Sequence, residues 1–393
     1  MGAKAPRSIA RRPRNPLRSS LPMPHLFRPI RLRELQLPNR LIVSPMCQYA
    51  AVDGAMQEWH RVHLGSMALG GAALVMVEAT APTAQGRITH GCTGLWDERT
   101  EAAMASVLRS VRAVAPTAVG LQIGHAGRKG SSARPWEGGQ QMPLAQGGWP
   151  TLAPSALAHS EGEEPPAAIT AADMGRLLDA FVQTVERAAR LGFDAIELHA
   201  AHGYLLHQFL SPLANQRSDA YGASPDNRMR FPLEIFAAMR AAWPAHKPMG
   251  VRISATDWVE DSAWNLPAAC AFAQRLERLG ADWIDVSSGG VSRRQQIQLG
   301  PGYQVPFAQA VKESVAIPVI AVGLISEARQ AEAILAQGQA DLVALGRGFL
   351  WDPRWGWRAA AELGAQLAAP RQYWRANPAA FREVFGATRF GAR

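Results

Sequence analysis

The stretch Gly192-Phe193-Asp194-Ala195-Ile196-Glu197-Leu198-His199-Ala200-Ala201-His202-Gly203-Tyr204 decides how the rest of the chain is read. Upstream, residues 173–191 place Leu177, Leu178, Phe181, Val185, Ala188 and Ala189 at helical spacing, and Gly192 follows where a C-cap glycine belongs. Residues 195–198 are then a short apolar run, predicted as a buried strand. Two imidazoles three residues apart, and a phenol two further on, therefore stand where a strand leaves the core. All three can donate hydrogen bonds, and neutral imidazole can also bind metal. Burying such groups without partners costs about 1–3 kcal/mol each. Their convergence points to a functional site.

The same unit recurs along the chain. Apolar, β-branched runs predict strands at 41–43, 73–77, 118–123, 195–198, 249–253, 283–286, 319–322 and 342–345. Helical patterns at 227–243, 266–279 and 327–337 lie between them, with Gly280 and Gly338 as further caps. Eight strands alternating with helices is the count of a (β/α)8 TIM barrel, expected as a single α/β domain over residues 23–375. A doubly wound sheet is the alternative that the count alone leaves open. Longer insertions at 130–168, 211–225 and 289–304 each follow a predicted strand, where barrel enzymes carry active-site loops.

Composition narrows the function classes. Hydrophobic residues make up 48% and charged residues 19%, as in a soluble globular protein, and no apolar run nears the roughly 20 residues that span a bilayer. The net charge of +9 does not argue for nucleic acid, because Lys4, Arg7, Arg11, Arg12, Arg14 and Arg18 carry six of the nine charges within residues 1–22. That segment is rich in Pro, Arg and Ser without apolar periodicity and is expected to be disordered. The apolar region that must follow a twin-arginine export signal is missing, so it reads as an upstream extension. Cys47, Cys92 and Cys270 are widely spaced and odd in number, which excludes a disulfide framework and suits a reducing cytoplasm.

The predicted strand ends gather polar chemistry. They offer Ser44 to Tyr49, then Glu78-Ala79-Thr80, then Gln122 with His125, Arg128 and Lys129. His199, His202 and Tyr204 follow, then Arg252, Ser287-Ser288-Gly289-Gly290, Gly323, and Gly346-Arg347. Glycines ending the last two strands, with Arg347 beside them, make a phosphate site of backbone N–H groups and guanidinium. The chain has no Gly-x-Gly-x-x-Gly after the first strand, no P-loop and no Gly-x-Ser-x-Gly, and none of its four lysines falls in a predicted strand. The remaining rival is a metal-dependent barrel hydrolase using His199 and His202, with Glu197 or Cys47 as further ligands.

Several ordered motifs resemble the Old Yellow Enzyme family. They are Pro45-Met46-Cys47-Gln48-Tyr49, the run Gln122 to Lys129, His199 to Tyr204, and the loop Asn215-Gln216-Arg217-Ser218-Asp219-Ala220-Tyr221-Gly222-Ala223-Ser224 with Asn227-Arg228. Cys47 with Tyr49 points to the bacterial thermophilic-like branch. The resemblance implies an FMN-dependent ene-reductase: NAD(P)H reduces non-covalently bound FMN, and an activated alkene (enone, maleimide or nitroalkene) takes the hydride. It implies that Pro45, Cys47, Ala79, Gln122 and Arg252 hold the isoalloxazine and that Gly323, Gly346 and Arg347 hold the phosphate. Tyr49, His199, His202, Tyr204 and Lys129 would face the substrate, with the histidines gripping its carbonyl oxygen and Tyr204 protonating the α-carbon. A homodimer or dimer-based tetramer is implied through Tyr373-Trp374, with 376–393 as a tail. No metal, nucleic acid or membrane partner is implied. In the signature loop Ala223 replaces the second glycine, and a backbone free of positive φ is expected there.

Overall fold

The computed structural model describes residues 22–381, 383–386 and 388. The expectation of disorder over residues 1–22 lies outside these, apart from Pro22. The chain opens with a hairpin of β1 (Ile30–Leu32) and β2 (Leu35–Leu37). Eight parallel strands then close a barrel in chain order: β3 (Leu41–Val43), β4 (Leu74–Thr80), β5 (Ala118–Ile123), β8 (Ala195–Ala200), β9 (Met249–Ser254), β10 (Ile284–Ser287), β11 (Val319–Val322) and β12 (Leu342–Leu345). The two numbers skipped, β6 (Leu152–Ala153) and β7 (Ala167–Ala168), pair within the insertion after β5. Every predicted strand is present, and the doubly wound alternative falls because β12 pairs with β3.

Helices cover the outside, among them α3 (Ala171–Arg190), α5 (Pro225–Ala242), α6 (Leu266–Arg278) and α8 (Ala328–Ala336). Gly192, Gly280 and Gly338 lie just past α3, α6 and α8 with φ of 77°, 92° and 71°, the left-handed conformation that ends a helix. Among the described residues no helix is long and apolar enough to cross a membrane.

Strand alternation sorts the barrel into two cores. Leu41, Val43, Val75, Val77, Leu121, Ile196, Leu198, Val251, Ile253, Val286, Val319 and Val343 point outward and pack under the helices. Ile42, Leu74, Met76, Ala195, Trp283, Ile320, Val322, Leu342 and Ala344 point inward, and Leu32 and Leu37 of the hairpin plug the N-terminal end. Two glycines make room for this packing. A Cβ at Gly250 would lie 2.0 Å from the Trp283 ring, and one at Gly120 would lie 2.4 Å from Met76 Sδ. Along the same inward rows the side chains turn polar toward the C-terminal mouth. Trp283 gives way to Asp285 and Ser287, Ala195 to Glu197 and His199, and Gly250 to Arg252 and Ser254. The site sits on top of a filled barrel.

The signature loop is a clamp. Asn215 Nδ2 donates to the carbonyls of Phe209 and Tyr221, both at 2.8 Å, and Arg228 donates to those of Leu210 and Ala223. It also corrects an expectation, because Ala223 has φ of 61°. Arg228 Nη1 donates to the Ala223 carbonyl at 3.0 Å within this left-handed turn. The substitution for glycine therefore carries strain, of about 1–2 kcal/mol. At the other end, Tyr373 and Phe385 pack edge-on against Trp357 of α10 (Trp355–Leu363) in the same chain, at 5.2 and 5.0 Å between ring centroids.

Candidate active site

The centre forms where β8 meets the mouth. His199 is the last inward side chain of the strand, and its Nδ1 accepts the Ala201 N–H at 3.2 Å, which places the proton on Nε2. His202 follows in a left-handed turn (φ 57°), whose N–H donates to Ser254 Oγ at 2.9 Å. That turn swings the second imidazole back beside the first. The rings stand 5.1 Å apart, nearly perpendicular, with Nε2 of His199 3.3 Å from Nδ1 of His202. The Tyr204 ring lies edge-on to His199, also at 5.1 Å. Gly203 permits the crossing of two loops, since a Cβ there would fall 2.0 Å from the Gly290 carbonyl oxygen.

Electrostatics fix the protonation states. Burial, then the positive charge of Arg252, holds both His199 and His202 well below the usual imidazole range. They are neutral N–H donors at ordinary pH. Burial, aided by Cys47 and Tyr49, pushes the Tyr204 phenol well up, so it keeps its proton. Lys129 bridges the loops by donating to the carbonyls of His202 (2.8 Å) and Gly290 (3.1 Å), and its ammonium lies 5.0 Å from the centre of the Tyr204 ring. Tyr49, in a left-handed turn after β3, stacks edge-on against Trp136 at 5.6 Å.

Beneath lies a polar layer that sequence reading divided among separate strands. Gln122 Nε2 donates to Glu197 Oε1 at 2.8 Å, and Trp283 Nε1 donates to Glu197 Oε2 at 3.0 Å. Arg252 sits 3.3 Å from Asp285 and donates to Ser44 Oγ at 3.1 Å. Burial, then the Asp285 charge, pushes Glu197 up to about 7 despite Arg252 and its two donors. Glu197 is thus engaged within the barrel rather than turned toward a metal. Among the described residues no group of three His, Cys, Asp or Glu is disposed to hold one. A hydrogen bond with the free Cys92 thiol first, and burial second, push Cys47 well up against the opposing backbone N–H of Ala79, leaving a neutral thiol.

Asp285, Ser254, Cys92 and Tyr303 are not singled out from sequence, and Ser44 and Ser287 stand there as strand-end residues without a role. The period-two register of Trp283, Asp285 and Ser287 was the available signal.

These residues fit a flavin mononucleotide. Buried Arg252 brings a guanidinium to the mouth, its Nε beside Asp285 and its Nη1 on Ser44, and Gln122, tied by its NH2 group, keeps its carbonyl for a ligand. At the far side Gly323 has φ of 121° and Gly346 caps α9 (Arg347–Trp351). A model of the NADH:flavin oxidoreductase / NADH oxidase family matches residues 25–366.

The chain belongs to this family. The flavin oxidoreductase is 42% identical over 352 residues to an NADPH dehydrogenase of Geobacillus thermodenitrificans, covering 89% of this chain and 98% of that one. An NADPH dehydrogenase of Bacillus subtilis is 39% identical over the same share of each chain. Among solved structures, morphinone reductase superposes with a TM-score of 0.72 at 29% identity, covering 92% of this chain and 94% of that one. The protein is an NAD(P)H-dependent flavin oxidoreductase of the Old Yellow Enzyme type, with FMN as cofactor and NAD(P)H as co-substrate. The metal-dependent hydrolase reading is set aside on this assignment.

Proposed function

We propose that the enzyme is an ene-reductase acting on α,β-unsaturated carbonyl compounds and related activated alkenes. The observation that carries this is the grouping of His202 and Tyr204 about His199, each ring 5.1 Å from its own: two neutral imidazoles and one protonated phenol at the mouth. Bound FMN, once reduced by NAD(P)H, supplies the hydride that the alkene β-carbon accepts. His199 and His202 hold the substrate oxygen as it gains negative charge, and such a donor is worth roughly 2.7–4 kcal/mol in the transition state. Tyr204 delivers its phenolic proton to the α-carbon, completing addition of hydride and proton across the double bond. Tyr49 and Lys129 shape the entrance. Arg252 and Gln122 hold the isoalloxazine edge with Pro45, Cys47 and Ala79, and Arg252 balances negative charge there. Gly323, Gly346 and Arg347 hold the phosphate. We further read the protein as cytoplasmic, from its three unpaired thiols, and as a dimer or dimer-based tetramer.

The test is anaerobic. Enzyme reduced with one equivalent of NADPH is mixed with 2-cyclohexenone, N-ethylmaleimide or a nitroalkene, and flavin reoxidation is followed with product analysis. At least one should reoxidise the flavin with formation of the saturated product. Reoxidation by quinone or peroxide but by none of these alkenes would refute the reading.

A further inference from the structure

A cavity of about 440 Å³ opens beside the reaction centre and shares Tyr49 and Lys129 with it. Its charged wall is drawn from two insertions. Arg128 and Lys129 come from the loop after β5, His159 and Glu163 from residues further along that insertion, and Arg293 and Gln295 from the loop after β10. Three cations thus face one opening against the single carboxylate of Glu163. None of Arg128, Lys129 and Arg293 lies within ion-pair distance of a carboxylate among the described residues, although their neighbour Arg294 pairs with Asp261.

The cations are held by neutral oxygens, so their charge is not cancelled. Arg128, buried, donates to the carbonyls of Leu157, Ala158 and Val291, and its Nε is left without a partner. Lys129 is tied to two further carbonyls. Arg293 spends only Nε, on Ser160 Oγ at 3.0 Å, which leaves its two terminal NH2 groups for a ligand. Such a planar fork suits a carboxylate or phosphate. The field is felt by Lys129 and His159. Burial first, then Arg293 and Arg128, lowers Lys129 to about 8, and burial with the same three cations lowers His159 to about 3. Glu163 is turned to its own chain, accepting the Ser160 N–H at 3.0 Å.

We infer that this vestibule is an anion subsite that seats a carboxylate or phosphate group of the molecule occupying the reaction centre, with Arg293 as its adjustable ligand. The anion has two possible carriers, an alkene bearing a carboxylate or the 2′-phosphate of the coenzyme. The inference rests on the substrate site proposed above only for the alkene carrier.

The experiment uses the FMN-loaded enzyme and measures binding, so it does not depend on alkene turnover. One arm titrates 4-hydroxybenzoate against 4-hydroxybenzamide. The other titrates the unreactive tetrahydro-NADPH against tetrahydro-NADH. In at least one arm the anionic member should bind more tightly, and Arg293→Ser should cut that preference about tenfold. Glu163→Gln should increase it, because the competing carboxylate is gone. A preference confined to the first arm identifies a substrate carboxylate, and one confined to the second identifies the coenzyme phosphate. Absence of preference in both arms, or a preference that the two substitutions fail to move in opposite directions, overturns the subsite. Loss of phenol binding altogether, with the coenzyme arm intact, counts instead against the proposed substrate site.

Discussion

Replacing His202 with alanine separates binding of the substrate oxygen from the rest of the reaction. Ala201 fixes His199 as the Nε2–H tautomer, and that N–H faces Nδ1 of His202 across 3.3 Å. His202 Nε2 meets Ser287 Oγ at 2.6 Å. Ser287 Oγ donates to Gln304 Oε1 at 3.3 Å, and turning that hydroxyl toward His202 Nε2 lets it donate there instead. When Ser287 donates, the His202 proton moves to Nδ1, and two N–H groups then face one point. A phenolate oxygen placed there gains two donors. Because hydrogen bonds to a charged partner contribute about 1.5–3 kcal/mol, His202→Ala should weaken phenolate binding roughly 10- to 150-fold. Ser287→Ala removes only the support for the tautomer and should have a smaller effect in the same direction. The assay is a titration of p-hydroxybenzaldehyde into oxidised, FMN-loaded enzyme, followed by the long-wavelength band of phenolate stacked on flavin. Both imidazoles are held neutral, so between pH 6 and 9 the variants should differ by a constant factor. Tyr204→Phe should spare binding and slow alkene turnover. If His202→Ala binds the phenol within twofold of the parent and still reduces cyclohexenone normally, the paired donors are not the oxygen site.

Two further outcomes follow from the fold. Ala223→Gly relieves a left-handed alanine (φ 61°) on an exposed turn and should raise stability by about 0.5–1 kcal/mol, less than the full strain because glycine loses more entropy on folding; an unchanged or lowered denaturation midpoint would contradict it. Glu197 binds its proton more tightly folded (about 7) than unfolded (about 4.5), so ionising it opposes folding. Its contribution should fall by about 3 kcal/mol as pH rises from about 4.5 to 7. Urea unfolding at pH 5 and 8 should therefore show a different pH slope in Glu197→Gln than in the parent. Equal slopes would refute the assignment, and taking the difference cancels the buried histidines, which titrate in the same window with opposite sign.

How much of this could be read from the chain alone follows from the range of the forces involved. Strand and helix positions are written locally, in period-two apolar runs and in glycines such as Gly192 and Gly280 that end a helix, so all eight strands were placed from sequence. The motif from His199 to Tyr204 was legible for the same reason, being six consecutive residues with their own chemistry. The conformation of Ala223 was misread because the Arg228 contact at its carbonyl comes from outside the turn. What lies under the site was not legible at all. Glu197 meets Gln122 from 75 positions away and Trp283 from 86, and Arg252 reaches Ser44 across 208. Only closure of the barrel brings these partners within hydrogen-bond range and strips away the water that would otherwise screen them. Sequence set which side chains face inward; tertiary structure decided which of them share protons and charge, because both require distances of a few ångströms in a medium without solvent.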